Sequence, residues 1–212
     1  MTDWATLFKT GVALFAIVNP IGSIPVFITA THGSNAPERA HIVRMVALTV
    51  FLVLTTSVLI GDRILEFFGI SIPSFQTGGG ILLLLMAISM MHARQSGIRQ
   101  NEEEALAAAE REATAIVPLS IPLLAGPGAI STMIIAAQQS GSLLGHVLLL
   151  LPVAAVAGLA WGMLRLSGPI ASHLGTIGIN IFTRLMGLIL AAMAVEFIAH
   201  GLIGLFPGLT NG

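Results

Sequence analysis

The sequence predicts an all-α polytopic membrane protein with six transmembrane helices, arranged as two inverted three-helix repeats. Hydrophobic residues make up 55% of the 212-residue chain and charged residues 9%, against roughly 25% charged residues in a soluble domain. Several apolar runs reach the roughly 20 residues that a helix needs to cross a bilayer. Two of these runs are interrupted by proline and glycine at equivalent places in the two halves of the chain.

Composition also excludes several kinds of activity. A net charge of −1 provides no basic surface for nucleic acid. Because cysteine is absent, the chain has no disulfide framework, thiol nucleophile or thiolate metal site. The six histidines are not spaced as metal ligands, so we expect neither a metal nor another cofactor. Six spans with short connections leave no room for a soluble catalytic domain, and we do not expect an enzyme.

The predicted spans follow one another closely along the chain. They cover residues 7–30, 45–60, 75–91, 115–137, 143–166 and 182–206. Pro152 interrupts the fifth span and predicts a kink there. The only sizeable hydrophilic segment, 92–114, is predicted to be a cytoplasmic helical linker. It divides the single membrane domain into a first three-helix repeat, 1–91, and a second, 115–212.

The first span contains the motif Asn19-Pro20-Ile21-Gly22-Ser23-Ile24-Pro25 near its middle. The prolines remove two backbone donors and Gly22 tolerates unusual backbone angles, so a continuous helix cannot pass through. Transporters use such broken helices to present backbone N–H and C=O groups to polar substrates. We therefore predict that Asn19, Pro20, Gly22 and Pro25 line a substrate site. The alternative is a proline kink without a ligand.

A second interruption, Ala125-Gly126-Pro127-Gly128-Ala129, lies near the middle of the fourth span. Five further residues are assigned to the same substrate site, namely Gly126, Pro127, Gly128, Ser131 and Thr132. The two hydroxyl groups either contact the substrate or satisfy carbonyl groups that the interruption frees.

The two interruptions belong to an internal repeat. Pro127 follows Pro20 by 107 residues, and the same offset relates Gly187 to Gly80. An ungapped register that aligns both interruptions is typical of repeated halves. Because each half has an odd number of spans, the second crosses the membrane in the opposite sense. The two interruptions are therefore expected to face each other near the midplane.

The positive charges predict the orientation. The side of the membrane that holds the first, third and fifth loops collects the arginines, whereas the side with both termini has only Lys9 and Arg63. Cytoplasmic loops carry an excess of lysine and arginine. Both termini are therefore predicted to lie on the periplasmic side.

Glu196 is the one acid deep inside a predicted span, about midway along the sixth. Intramembrane carboxylates are costly and usually face the bundle interior or a water path. Glu196 is therefore a candidate for binding a coupling proton, with His200 one turn later as its partner. The alternative is a structural glutamate that only joins helices.

Several motifs together resemble one family. They are Asn19–Phe27, Phe68–Ile72, Val117–Leu119, Ala125–Ser131, Gly178–Asn180, Thr183–Gly187 and Glu196–Ile198. Over essentially the whole chain the sequence resembles the MarC family of bacterial inner-membrane proteins, in its YchE-like branch.

The resemblance implies two inverted three-helix repeats, a relation to the LysE-like transporters and, through the SnatA members, uptake of small neutral amino acids such as glycine and alanine. We therefore expect a multi-pass secondary transporter of the inner membrane that works by alternating access. Its expected partners are membrane lipid, a small-molecule substrate and a coupling proton, and homo-oligomer formation is left open. Export of other metabolites or drugs is an alternative that a large cavity lined by Met and Phe would favour. A structural or regulatory subunit is another, favoured if no polar cavity lies between the breaks.

Overall fold

A computed structural model describes residues 4–31, 33–92 and 124–210. Within these ranges every regular element is helical and no strand is present. The helices are α1 (Trp4–Val18), α2 (Ile24–Ala30), α3 (Ala36–Phe67), α4 (Ile72–His92), α5 (Pro127–Ser140), α6 (Leu143–Arg165) and α7 (Ser167–Leu205), followed by a 3₁₀ turn at Pro207–Thr210.

Four of the described helices, α3, α4, α6 and α7, are long and apolar enough to cross a membrane. The helix α1 is apolar but shorter. It is separated from α2 by the Asn19–Ser23 segment, so the predicted first span is interrupted as expected. The half of the predicted fourth span that precedes Leu124, and all of the linker beyond His92, lie outside the described residues. The count of six spans therefore stays a prediction.

Local signals explain where the long helices begin and end. At the start of α3, the Asn35 side chain accepts a hydrogen bond from the Glu38 N–H at 2.9 Å, and the Glu38 carboxylate accepts one from the Asn35 N–H at 3.1 Å. This reciprocal capping starts α3 nine residues before the predicted span at Met45. The helix ends at Phe67, and Gly69 follows with a φ of 66°, a conformation that glycine adopts without strain.

Among the later helices, Pro152 lies inside the continuous α6, and α7 begins earlier than predicted. Pro152 lies inside α6, buried against α1, where a Cβ atom placed on Gly11 would lie 3.4 Å from the proline Cβ. The helix α7 begins at Ser167, well before the predicted sixth span, and Gly175 interrupts its helical geometry with φ 60° and ψ 176°. Residues 176–205 therefore form the continuous apolar part of α7.

The helices α4 and α7 pack closely and antiparallel through glycines. A Cβ atom placed on Gly80 of α4 would lie 2.9 Å from the carbonyl oxygen of Ala194 on α7. A Cβ atom placed on Gly187 of α7 would lie 3.1 Å from the carbonyl oxygen of Ala87 on α4. Both the two glycines and the two alanines are 107 residues apart. The contacts between the helices are therefore reciprocal under the offset found in the sequence.

The remaining helices enclose α5. The helix α5 packs against α3 and α4, and α1 packs mainly against α6. At the α3–α5 contact, Gly61 leaves space that the Ile134 side chain fills. The largest fully buried side chains include Leu14, Ile17, Phe27, Leu54, Leu83, Met133, Leu149 and Leu190. The apolar core thus surrounds the two segments that the sequence assigns to a substrate site.

Candidate functional site

The first interruption is a compact hydrogen-bonded turn. Asn19 follows the last residue of α1 with a φ of 43°, a left-handed conformation that asparagine tolerates better than most residues. Its side-chain oxygen accepts a hydrogen bond from the Gly22 N–H at 3.2 Å. A Cβ atom on Gly22 would collide with the Asn19 amide. Asn19 and Gly22 therefore determine the shape of the turn together.

The last turn of α1 ends in this interruption without a capping side chain. The Asn19 N–H donates to the carbonyl of Phe15 at 2.9 Å. The carbonyls of Ala16, Ile17 and Val18 belong to the final helical turn, which has no further intrahelical donors. All three residues are buried, and the last turn contains no basic residue. This end of α1 therefore presents acceptors and the negative end of a helix dipole.

The start of α2 is also uncapped. The Ser23 hydroxyl group donates to the carbonyl of Pro20 at 2.9 Å and makes no hydrogen bond to the first turn of α2. The helix has only seven residues, and Pro25 in its first turn has no N–H group to donate.

The second interruption forms the start of α5. Gly126 precedes the helix in an extended conformation, and Pro127 is its first residue. Gly126 has no side chain that could accept from the helix, so the N–H groups of Gly128 and Ala129 have neither a cap nor an intrahelical acceptor. Both residues are buried. The first turn of α5 therefore presents donors and the positive end of a helix dipole.

The two interruptions lie next to each other. A Cβ atom on Gly128 would lie 3.4 Å from Cγ2 of Ile17, in the last turn of α1, and 2.6 Å from Cδ2 of Leu83 on α4. One turn further along α5, a Cβ atom on Gly79 of α4 would lie 2.9 Å from Cβ of Ser131. The N-terminal end of α5 thus lies between the C-terminal end of α1 and the glycines of α4.

The structure separates the predicted site residues into two groups. Six of them are buried or half-buried around this contact, namely Asn19, Pro20, Gly22, Gly126, Gly128 and Ser131. Thr132 is buried as well, but its hydroxyl donates to the Gly128 carbonyl at 2.8 Å, which is the structural alternative for this residue. Pro25 and Pro127 are exposed, so each contributes through the backbone geometry that it imposes.

Glu196 does not face the interior of the described bundle. Its side chain is 70% exposed, on the outer surface of α7, and its carboxylate lies 3.6 Å from Nε2 of His200. The reason is the rotation of α7, which directs Gly187, Leu190 and Ala194 towards the interior. The expected pairing with His200 is present. Whether Glu196 carries a proton stays a prediction.

Two polar side chains outside the predicted site lie in the apolar part of the described helices, and of these Thr55 was not singled out from the sequence. The Thr55 hydroxyl group is buried on α3 without a hydrogen-bond partner, and Gln76 is buried on α4. A threonine in an apolar run usually hydrogen-bonds to its own helix, so no sequence signal distinguishes Thr55. In the part of the chain that the structure describes, no three His, Asp or Glu side chains cluster as metal ligands.

The chain matches one protein family over nearly its whole length. A family model described as "MarC family integral membrane protein" matches residues 4–206. The chain belongs to the MarC family. The chain is similar to the UPF0056 membrane protein YhcE of Escherichia coli, at 41% identity over 99% of this chain and 97% of the relative. It is also similar to YvbG of Bacillus subtilis, at 39% identity over 94% and 95%.

Relatives of the MarC chain extend to archaea. A UPF0056 membrane protein of Pyrococcus horikoshii is 37% identical over 91% of this chain and 92% of its own length. No solved structure matches the chain. The family and the integral membrane location are thus established, while the relatives' names describe them only as membrane proteins.

Proposed function

We propose that this MarC protein is a secondary transporter of small neutral amino acids, of the size of glycine or alanine, that works by alternating access. The observation that carries the proposal is the meeting of two uncapped helix ends of opposite polarity inside the bundle. The α5 start offers N–H groups to a carboxylate, and the α1 end offers carbonyls to an ammonium group. A zwitterionic amino acid has both groups on one carbon atom.

The crowding around the helix ends supports a small substrate. Gly79 and Gly128 leave only the space that Ser131 and Leu83 already occupy. A ligand that binds between the helix ends would have little room for a side chain, which favours a hydrogen atom or a methyl group. Larger amino acids would require α4 to move away from α5. This reasoning favours glycine and alanine over branched or charged amino acids.

The reciprocal contacts between α4 and α7 support the inverted repeat. In an inverted-repeat transporter, the two halves exchange roles when access changes from one side to the other. Contacts at Gly80 and Gly187 that mirror each other under the 107-residue offset are what such an exchange requires. We propose that α4 and α7 form the contact about which the halves rock, with both termini on the periplasmic side.

A second candidate function has one observation in its favour. A groove of about 530 Å³ lies between α1 and α6, and its lining includes Phe8, Phe15 and Met163. Aromatic and methionine side chains suit an amphiphilic compound, which favours export of metabolites or drugs. The groove lies on the flank of α1, away from the helix ends that meet inside the bundle.

A counterflow assay tests the proposed function. Proteoliposomes loaded with unlabelled alanine should accumulate labelled glycine transiently, whereas empty liposomes and liposomes loaded with lysine should not. Counterflow driven only by an amphiphilic compound would support the exporter. Absence of counterflow with every small neutral amino acid would contradict the proposal.

A further inference from the structure

A second cavity, of about 370 Å³, lies at one end of the bundle. None of the described residues that line it belongs to the uncapped ends of α1 and α5. It lies between the start of α3 and the junction of α6 and α7. Arg39 and Arg165 line it together with Val43 and Leu164, whose side chains are buried. The cavity therefore combines two guanidinium groups with an apolar wall.

Both arginines are held in place by uncharged neighbours. The Arg39 Nε donates to the Thr31 hydroxyl oxygen at 3.1 Å, and its guanidinium carbon lies 5.7 Å from the centre of the Phe27 ring. The guanidinium carbon of Arg165 lies 5.5 Å from the centre of the Trp161 ring. Stacking on an aromatic ring orients a guanidinium group and leaves its terminal N–H donors for another acceptor.

No carboxylate neutralises these charges within the described residues. None of the described residues that line the cavity is acidic. The ion pair found among the described residues joins Glu196 to His200, and neither of these lines the cavity. The nearest acid along the chain, Glu38, is bonded to the N–H and the side-chain amide of Asn35 at 3.1 and 2.8 Å. Among the described residues, the cavity therefore carries positive charge and has no acidic side chain.

The position of the cavity indicates the kind of ligand. It lies where α3 and α7 begin and where α6 ends, so the positive ends of two helix dipoles and the negative end of a third meet there. It also lies at the end of α6, which is long and apolar enough to cross a membrane, and the exposed Leu166 extends its apolar rim. We propose that this cavity binds the phosphate group of an anionic membrane lipid, with Arg39 and Arg165 as its ligands and the acyl region against Leu166.

The cavity is distinct from the repeated substrate site. The 107-residue offset pairs Arg39 with His146 and Arg165 with Val58, so the equivalent place in the other half has no arginine. His146 is engaged there with the carbonyl of Ala137 at 3.0 Å. A feature present at only one end of the bundle suits recognition of one leaflet. It agrees with the predicted cytoplasmic side, where basic pockets between helices bind anionic headgroups.

Lipid titration of the purified full-length chain tests this proposal. Phosphatidylglycerol and phosphatidylcholine are added separately to the protein in neutral detergent, and bound lipid is counted by native mass spectrometry. The variants are Arg39→Gln, Arg165→Gln and the double variant. The control is Arg63→Gln, which removes an exposed arginine near the other end of α3. We expect the double variant to need roughly tenfold more phosphatidylglycerol for half-saturation, and the control to match the unsubstituted protein.

A third arm separates a lipid from a soluble anion. Glycerol phosphate has the same phosphate chemistry without acyl chains, and it should not displace bound phosphatidylglycerol at equal concentration. Displacement would assign the arginines to a soluble phosphate compound and overturn the lipid source. Equal phosphatidylglycerol binding by the double variant and the control would overturn the site itself. Thermal unfolding of each variant shows that it is folded, and the readout is lipid binding, so the result is independent of transport.

Discussion

Gly128 packs against side chains of α1 and α4, which a role in substrate binding alone does not explain. Its missing side chain makes room for Leu83 and Ile17, so its first consequence is to bring α5 close to α1 and α4. The position of the uncapped N–H groups depends on this close approach. Packing at this residue therefore determines the geometry of the proposed substrate site.

We expect Gly128→Val to abolish glycine counterflow while the protein still inserts into the membrane. The added side chain overlaps with buried Leu83, and overpacking of this kind costs roughly 1–3 kcal/mol. Counterflow and membrane content are measured for the same preparations. Combining Gly128→Val with Leu83→Ala removes this overlap and should recover part of the activity. Undiminished glycine transport by Gly128→Val would count against the site.

Glu196 provides a separate test at the residue scale. Because its carboxylate lies on the outer surface of α7 and pairs with His200, we expect Glu196→Gln to retain both alanine exchange and accumulation driven by a pH gradient. Glutamine has nearly the shape of glutamate and can form hydrogen bonds, but its amide group has no titratable proton. Both rates are measured in one preparation of proteoliposomes. Retained exchange with lost accumulation would instead establish Glu196 as the coupling residue.

At the scale of helices, the sequence predicted the interruptions better than the helix lengths or rotations. The break at Asn19–Ser23 follows from local backbone chemistry, since proline and glycine act on their own turn. The start of α3 at Ala36 depends on the reciprocal cap of Asn35 and Glu38. Because the residues that follow this cap are polar and charged, the sequence analysis placed them in a loop. The exposure of Glu196 depends on which face α7 presents to α4, and no local signal specifies that face.

The α4–α7 contact predicts a contrast between two neighbouring glycines. Gly80→Ala places a methyl group against the backbone carbonyl of Ala194, which cannot move aside without shifting α7. Gly78→Ala meets nothing within 4 Å and should be neutral or slightly stabilising, because alanine favours the helix. We expect a lower thermal unfolding midpoint only for Gly80→Ala. Equal midpoints for the two variants would contradict the close packing of α4 and α7.

At the scale of the whole molecule, the cavity with Arg39 and Arg165 lies between the predicted first loop and the predicted fifth loop. Arg39 and Arg165 are far apart in sequence, and only the tertiary fold brings them into one cavity. Both loops were placed on the cytoplasmic side from their charges, and the structure places their residues together. The charge pattern thus predicted that the two loops share a side, but not that their arginines line one cavity.

Orientation can be tested directly because the chain has no cysteine. Ser34→Cys lies in the α2–α3 connection and Ser71→Cys lies in the α3–α4 connection. An impermeant maleimide should label Ser71→Cys in intact cells, and should label Ser34→Cys only after the membrane is permeabilised. The opposite labelling pattern would reverse the proposed orientation.

The central claim is that a small amino acid binds where α5 begins, and substrate protection of Ser131→Cys tests it most directly. The variant is first shown to exchange labelled glycine in proteoliposomes, and the rate of thiol alkylation is then measured with and without amino acids. Glycine and alanine should slow alkylation several-fold, lysine should not, and Ser140→Cys at the far end of α5 should be unaffected. An unchanged alkylation rate of Ser131→Cys in saturating glycine would contradict the proposed site.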